Sequence, residues 1–96
     1  MLIEAPYKVG ETVSLKLTSG EEIVARLEEE SQTTYVLHKP MVLVAGQKGL
    51  GLAPFMFSVS ADSKFKINAS SVVCVLKTQK ELAMQYTEQT TGIAIN

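Results

Sequence analysis

The chain has 96 residues, of which 46% are hydrophobic and 20% are charged, and its formal net charge is −1. This length suits one domain and not two, and the composition is ordinary for a globular protein. No apolar run approaches the roughly 18 residues of a membrane-spanning helix, so a protein that crosses the membrane with helices is not expected. The first residues also lack the basic start and apolar core of a signal peptide.

Charge is distributed unevenly along the chain. Residues 1–30 carry seven acids and three bases, which gives −4, whereas residues 31–96 carry three acids and six bases, which gives +3. Proteins that depend on phosphate contacts usually have a net basic face, so the overall charge counts against tight non-specific binding of nucleic acid. The asymmetry also suits contact between identical subunits, with an acidic face against a basic one.

Residues 13–30 predict an antiparallel hairpin. Apolar and polar residues alternate, which is typical of strands with one buried face. Gly20 can adopt the positive φ that a tight turn with a bulge requires. The apolar positions are Val13, Leu15 and Leu17 before the turn, and Ile23, Ala25 and Leu27 after it.

Residues 33–45 are rich in β-branched and apolar side chains and predict a further strand. Pro40 has no backbone N–H, so this strand must be bent, bulged or at an edge there. His38 has no partner at metal-ligand spacing and is interpreted as a structural or surface residue. The glycine-rich segment 46–51 predicts a hairpin tip, because its spacing does not match a phosphate-binding loop.

Residues 53–67 predict the return strand, interrupted at 60–63. Phe55, Phe57 and Phe65 are expected to contribute to the core. A turn at 68–71 leads to residues 72–76, which are apolar on both faces and therefore lie in a closed barrel wall or at a subunit contact. We favour the contact, with Val73, Val75 and Phe57 as its candidate residues.

The single Cys74 lies in that apolar strand. It cannot form an intrachain disulfide, which favours a reducing compartment and a cytoplasmic location. Its surroundings predict a small buried hydrophobic residue and not a nucleophile.

The last element has helical periodicity. Thr78 and Glu81 have the spacing of a capping box. Leu82 and Tyr86 recur at helical spacing, and Gly92 is a suitable helix stop. A C-terminal helix over about residues 79–91 is expected, packed on the sheet or on a neighbour. Ile93 and Ile95 would attach the tail to the domain or lie along another subunit.

Catalytic chemistry is sparse. The chain has one histidine, one cysteine and one aspartate. They form no recognisable Ser-His-Asp set, and no zinc-ligand spacing occurs. We therefore expect a binding module or an assembly element, with no enzyme activity, no metal and no cofactor.

The strand spacing resembles the Sm-like (LSm) family, whose members are strongly bent five-stranded barrels that form rings and commonly bind RNA. The first Sm motif has alternating apolar residues and a turn glycine, followed by G-x-L-x-x-h-D-x-x-M-N-h, where h is apolar. Gly20 overlays on the turn glycine, Ala25 on the next glycine and Leu27 on the leucine. The resemblance covers about residues 9–77. It implies a single mainly β domain, an antiparallel Sm-like (SH3-like) barrel with a C-terminal helix.

The polar positions of the motif differ from the family pattern. Ser31 overlays on the aspartate, Thr34 on the methionine and Tyr35 on the asparagine. The second motif, I-R-G-x-x-h, overlays on residues 67–72 and places Asn68 at the arginine. The segments HKPMVLV, GLAPFMF and ELAMQYTEQTTGI look similar to small Sm-like proteins of T4-type cyanophages, which implies the cytoplasm of an infected bacterium.

The resemblance implies a homo-oligomeric ring of about five to seven subunits. In RNA-binding Sm proteins a base sits among a stacking side chain, an asparagine and an arginine, which overlay here on Thr33, Tyr35 and Asn68. A single-stranded RNA site is therefore expected at loops 31–35 and 68–71, with Ser31 and Ser70 as further candidates. Tyr35 could stack on a base and Asn68 could bond a base edge, but an arginine's charge and planar surface are missing.

Two other interpretations remain open. Tyr35 can be a packed strand residue and Asn68 a turn former, in which case the protein is a structural or protein-interaction ring that has lost the nucleotide pocket. An SH3-like peptide binder would need exposed aromatic residues in a groove, and the available tyrosines are Tyr7, Tyr35 and Tyr86.

Overall fold

The structure is a computed structural model that describes residues 6–92. In that range the chain is mainly β, with six strands followed by one α-helix. A short 3-10 turn, Ala69–Ser71, joins the last two strands. The elements are β1 (Thr12–Leu17), β2 (Glu22–Glu30), β3 (Thr34–Gly46), β4 (Gly49–Pro54), β5 (Lys64–Asn68), β6 (Val72–Lys77) and α1 (Lys80–Thr91).

The strands form one antiparallel sheet in the order β4-β3-β2-β1-β6. The long strand β3 pairs with β5 along its first half and with β4 along its second half, so β4 and β5 follow each other along the same side of β3. Within residues 6–92, β5 pairs only with β3 and β6 only with β1. The predicted antiparallel β-fold with a C-terminal helix is confirmed, but the two ends of the sheet do not pair to close a barrel.

The predicted β1–β2 hairpin is confirmed. Gly20 has a φ of 107°, and its amide donates to the Leu17 carbonyl oxygen at 2.9 Å. The Leu17 amide donates in turn to the Glu21 carbonyl oxygen at 2.9 Å. The alternating apolar residues form the main core on one face of the sheet: Val13, Leu15, Leu17, Ile23, Ala25, Leu27 and Leu37.

The opposite face of the sheet packs against α1. Leu82 and Tyr86 of the helix form a second buried cluster with Val24 and Leu52. Val24 is therefore fully buried although it points away from the main core. The β1–β2 hairpin therefore contributes to buried clusters on both of its faces: one face lies in the main core, and Val24 on the other face is covered by α1.

The predicted capping box at the start of α1 is wrong, whereas the predicted stop is confirmed. Thr78 is buried, and its Oγ1 hydrogen-bonds to Ser14 Oγ at 2.8 Å. The N-cap is Gln79, with no side-chain cap. Thr78 does not cap the helix because it directly follows β6, which pairs with β1, and its hydroxyl bonds to Ser14 of β1 instead. Gly92 ends the helix with a φ of 74°. Ile93 and Ile95 lie outside the described residues.

The predicted break at Pro40 is a bulge. Val24 pairs with Met41 but Arg26 pairs with His38, so Lys39 and Pro40 stand opposite one residue of β2. Lys39 has a φ of 53°. The Tyr86 hydroxyl reaches this bulge: it lies 2.9 Å from the His38 carbonyl oxygen and 2.8 Å from that of Lys39.

The bulge leaves backbone groups that the ladder does not satisfy, and Tyr86 supplies their partner. Besides its contacts to the two carbonyl oxygens, the hydroxyl accepts the Arg26 amide at 3.2 Å. Burial raises the pKa of Tyr86 to about 12. The helix is thus attached to the sheet by a buried hydroxyl as well as by apolar packing.

The predicted strand 53–67 is wrong, because most of this range does not belong to a strand. The prediction that Phe57 contributes to the core is also wrong. The chain leaves the sheet from residue 55 to residue 63, between β4 and β5. Phe55 and Phe65 pack on the core with their ring centroids 6.0 Å apart. Phe57 lies in the excursion and is 84% exposed, because no strand or helix of residues 6–92 covers it.

The predicted burial of Cys74 is also wrong. A bulge in β6 follows Val72, so that Val72 and Val75 face the core while Val73 is 63% exposed. Cys74 is exposed as well. The reason is that β6 ends the sheet, and its outward face meets no other described element. Of the candidate interface residues on β6, Val73 is accessible and Val75 is packed against the core.

Candidate functional site

The two loops expected to bind RNA lie next to each other. Residue Thr34 pairs with Asn68 at the end of the β3–β5 ladder. Beyond the ladder, the Ala69 amide donates to the Thr33 carbonyl oxygen at 2.8 Å. Loops 31–35 and 68–71 therefore form one continuous surface at this end of the sheet.

Ser31 organises the first loop from within. Its Oγ accepts the amides of Thr33 at 3.3 Å and Thr34 at 3.1 Å. The Ser31 amide donates to the Thr34 carbonyl oxygen at 2.8 Å. The side chain that overlays on the family's aspartate thus closes the turn, which is a typical role for a serine in a tight loop.

The candidate side chains do not all converge. Tyr35 pairs with Ile67, and both pack against the main core. Asn68 is the next residue along β5, so strand alternation directs it to the opposite face. Thr33, Asn68 and Ser70 are exposed, whereas Tyr35 is half-buried. The loops come together, but the tyrosine and the asparagine do not form one pocket.

The outward face of β5 carries, besides Asn68, two exposed lysines that the motif overlay did not single out. Lys64, Lys66 and Asn68 alternate with the half-buried Phe65 and Ile67. Two ammonium groups and one amide therefore form a stripe that leads to loop 68–71. The alternation of polar and apolar residues in KFKIN predicts a polar face on this strand, but only the structure shows that this face is exposed.

Acidic groups lie at the neighbouring end of β2. The Tyr7 hydroxyl donates to Glu30 Oε2 at 3.0 Å. The pKa of Tyr7 is raised above its usual value, mainly because the phenol is partly buried and secondly because it hydrogen-bonds to the Glu30 carboxylate. Tyr7 and Tyr35 both pack on the same core. An anionic side chain next to Tyr35 opposes the approach of a phosphate to that residue.

His38 belongs to a small surface network on β2 and β3. Its Nδ1 lies 3.7 Å from Glu28 Oε1 and 3.4 Å from an Arg26 guanidinium nitrogen. Arg26 also contacts Glu28 Oε1 at 3.0 Å. This hydrogen bond from Arg26 lowers the pKa of Glu28. The arrangement agrees with the interpretation of His38 as a structural or surface residue.

A cleft of about 250 Å³ lies where the bend of β3, residues 54–61 and the end of α1 meet. Lys39 lines it; its Nζ donates to the Thr90 carbonyl oxygen at 2.9 Å and lies 3.5 Å from Asp62 Oδ1. Sequence patterns could not find this cleft, because its walls come from four segments of the chain: β3, residues 54–61, β5 and α1. The apolar walls are Pro40, Met41, Pro54, Phe55, Met56, Ala61 and Phe65.

Residues 6–92 contain no group of three or more histidine, cysteine or acidic side chains placed to hold a metal ion. In the same range, no helix has the length and apolar character needed to cross a membrane. Neither a comparison with protein-family models nor a search of curated proteins finds a match to the chain.

Proposed function

We propose that the chain is a non-enzymatic Sm-like subunit that assembles through its sheet edges into a homo-oligomeric ring and binds single-stranded RNA. Assembly joins the sheets of neighbouring subunits by pairing β5 of one subunit with β6 of the next, and the series of these contacts closes the ring. RNA lies on the outward face of β5 and on the adjoining loops 31–35 and 68–71. The protein works in the reducing cytoplasm, which the lone cysteine supports.

The observation that carries the RNA proposal is the stripe on β5. Its ammonium groups, on Lys64 and Lys66, suit phosphate oxygens, and Asn68 suits a base edge. These residues are next to loop 68–71, which is joined to loop 31–35 by the Ala69–Thr33 hydrogen bond. Extended single strands fit a surface on which cations recur at every second residue of a strand.

The unpaired edges support the ring. Strands β5 and β6 stand at different ends of the sheet, and each uses one edge only within residues 6–92. Such edges present unpaired N–H and C=O groups that another chain can complete. Because the two edges are different, the contact is heterologous, and a heterologous contact that closes on itself generates a ring.

The mass of the purified protein and its 260/280 nm absorbance ratio test the proposal directly. We expect an assembly of several subunits by light scattering and a raised absorbance ratio that falls after nuclease treatment or washing with high salt. A protein of the mass of one or two chains with no retained nucleic acid would contradict both parts.

Removing the two lysines of the stripe is expected to weaken RNA binding and to make the binding constant less dependent on salt. Each single-strand phosphate contact contributes about 0.7 to the slope of log K against log salt, so Lys64→Gln with Lys66→Gln should lower the slope by about 1.4. Fluorescence anisotropy with labelled homopolymers over a salt series measures it.

Lys48→Gln is the matched control, because Lys48 is also exposed but stands at the tip of the β3–β4 hairpin. It should leave the slope unchanged. Equal slopes for the double variant and the wild type would show that these lysines do not contact the phosphates.

A structural or protein-interaction ring without RNA is the second candidate. The observation that favours it is the environment of Tyr35, which is half-buried on the core face near Tyr7 and Glu30. Under this alternative the ring forms with an absorbance ratio of pure protein, and no homopolymer binds at low salt.

A further inference from the structure

The segment 55–63 carries both an uncovered aromatic side chain and one wall of the apolar cleft. Phe57 is 84% exposed, the highest value among the large apolar residues of the described chain. Its neighbours Phe55 and Met56 line the cleft, and Phe57 does not. A covered phenylalanine buries roughly 150–250 Å², so this segment leaves a large apolar side chain exposed beside an apolar cleft.

A projecting group and a recess on the same segment are complementary to a second copy of themselves. In a two-fold arrangement, whatever one copy inserts into its partner is matched by the partner's insertion into the first. Phe57 directly follows Met56 of the cleft wall, so the exposed ring and the recess belong to one short segment, as a two-fold contact between two copies of that segment requires.

We propose that two copies of the chain pair through segment 55–63, with Phe57 of each copy seated in the cleft of the other. The thioether groups of Met41 and Met56 line the cleft and provide favourable contacts to an aromatic ring. Phe55 and Phe65 add aromatic surface to its lining.

The charges at the cleft permit this pairing. Lys39 supplies the ammonium group that lines the cleft. Its Nζ lies 3.5 Å from Asp62 Oδ1 of the same copy and donates to the Thr90 carbonyl oxygen at 2.9 Å. A two-fold contact therefore brings compensated charges together, whereas unpaired like charges would oppose it.

This pairing goes beyond the proposed function and does not depend on it. Ring assembly joins two different edges, β5 and β6, and is heterologous. The contact through segment 55–63 is isologous, so it joins two rings face to face or, if no ring forms, two single subunits. Either way it doubles the mass of whatever assembly the edges produce.

Sedimentation velocity of Phe57→Ser tests the pairing. We expect the variant to have half the assembly mass of the wild type at the same concentration and to keep its folded circular dichroism, because the substituted side chain is exposed. Leu50→Ser is the matched control: Leu50 is also an exposed apolar residue, but it lies on β4 near the hairpin tip. It should retain the wild-type mass.

Methyl NMR of methionine-labelled protein locates the contact. The ε-methyl signals of Met41 and Met56 should shift through the ring current of the inserted Phe57, and the shift should disappear in Phe57→Ser and on dilution. A wild type that sediments as unpaired assemblies, or methyl signals that are unchanged in the variant, would overturn the proposal. A copurified small molecule in the cleft with no mass change in Phe57→Ser would overturn it as well.

Failure of the pairing and failure of the ring are distinguishable. Val73→Lys introduces a charge on the outward face of β6, the strand of the proposed ring contact, and not in segment 55–63. If the pairing is right, this variant still forms two-copy species that Phe57→Ser then reduces to single subunits. If it is wrong, Val73→Lys alone yields single subunits.

Discussion

Replacing Val73 with lysine is expected to dissociate the proposed ring into species no larger than a pair of subunits. Val73 is 63% exposed at the bulge of β6, so the isolated subunit accommodates the substitution. In the ring the new ammonium group would be buried without a partner, which costs several kcal/mol. Because each 1.4 kcal/mol is tenfold, edge association should weaken by at least about 100-fold. Light scattering over a concentration series measures it.

Val9→Lys provides the comparison for this variant. Val9 is as exposed as Val73 but precedes β1 and lies on no sheet edge. The control should assemble like the wild type, which separates the position of the charge from its mere addition. If both variants keep the wild-type mass, the outer edge of β6 is not the site of association.

Removing the Tyr86 hydroxyl is expected to destabilise the fold more than removing any other phenolic hydroxyl in the described chain. In Tyr86→Phe the Arg26 amide and the carbonyl oxygens of His38 and Lys39 lose their shared partner at the bulge. Leaving a buried polar group unsatisfied costs about 1–3 kcal/mol. Tyr86→Ala also removes buried packing and should cost about 3–5 kcal/mol.

Urea denaturation followed by circular dichroism measures both variants of Tyr86. Tyr7→Phe is the matched control, because it deletes a phenolic hydroxyl that bonds the exposed carboxylate of Glu30. It should change the free energy of unfolding by less than about 1 kcal/mol. An equal loss in Tyr7→Phe and Tyr86→Phe would mean that the bulge does not depend on the buried hydroxyl.

The candidate RNA surface was predictable only in outline. The overlay of loops 31–35 and 68–71 on the Sm motifs pointed to two segments that the structure places side by side. It did not separate the faces: Tyr35 packs on the core, while Asn68 shares the outward face with Lys64 and Lys66. An overlay of sequence motifs identifies positions, but the direction of each side chain depends on the register of β5 against β3.

The errors about exposure have one physical cause. The burial of Cys74 and of Phe57 is predicted from apolar composition, which shows that a residue benefits from burial but not whether this chain supplies the cover. An edge strand and a central strand can have the same local sequence, because their difference lies in long-range pairing. The exposed residues of β6 and segment 55–63 are therefore the surfaces on which the assembly proposals rest.

Some features of this protein follow from its sequence alone. The β1–β2 hairpin, the turn at Gly20, the disruption at Pro40 and a helix ending at Gly92 were all predicted, because strand alternation, glycine's positive φ and proline's missing donor act locally. Tertiary structure alone decided that β4 and β5 share one side of β3, that Thr78 bonds Ser14, that Tyr86 completes the bulge and that Phe57 remains uncovered. These features depend on contacts between residues far apart in the chain, and local patterns carry no information about which distant segment will meet them.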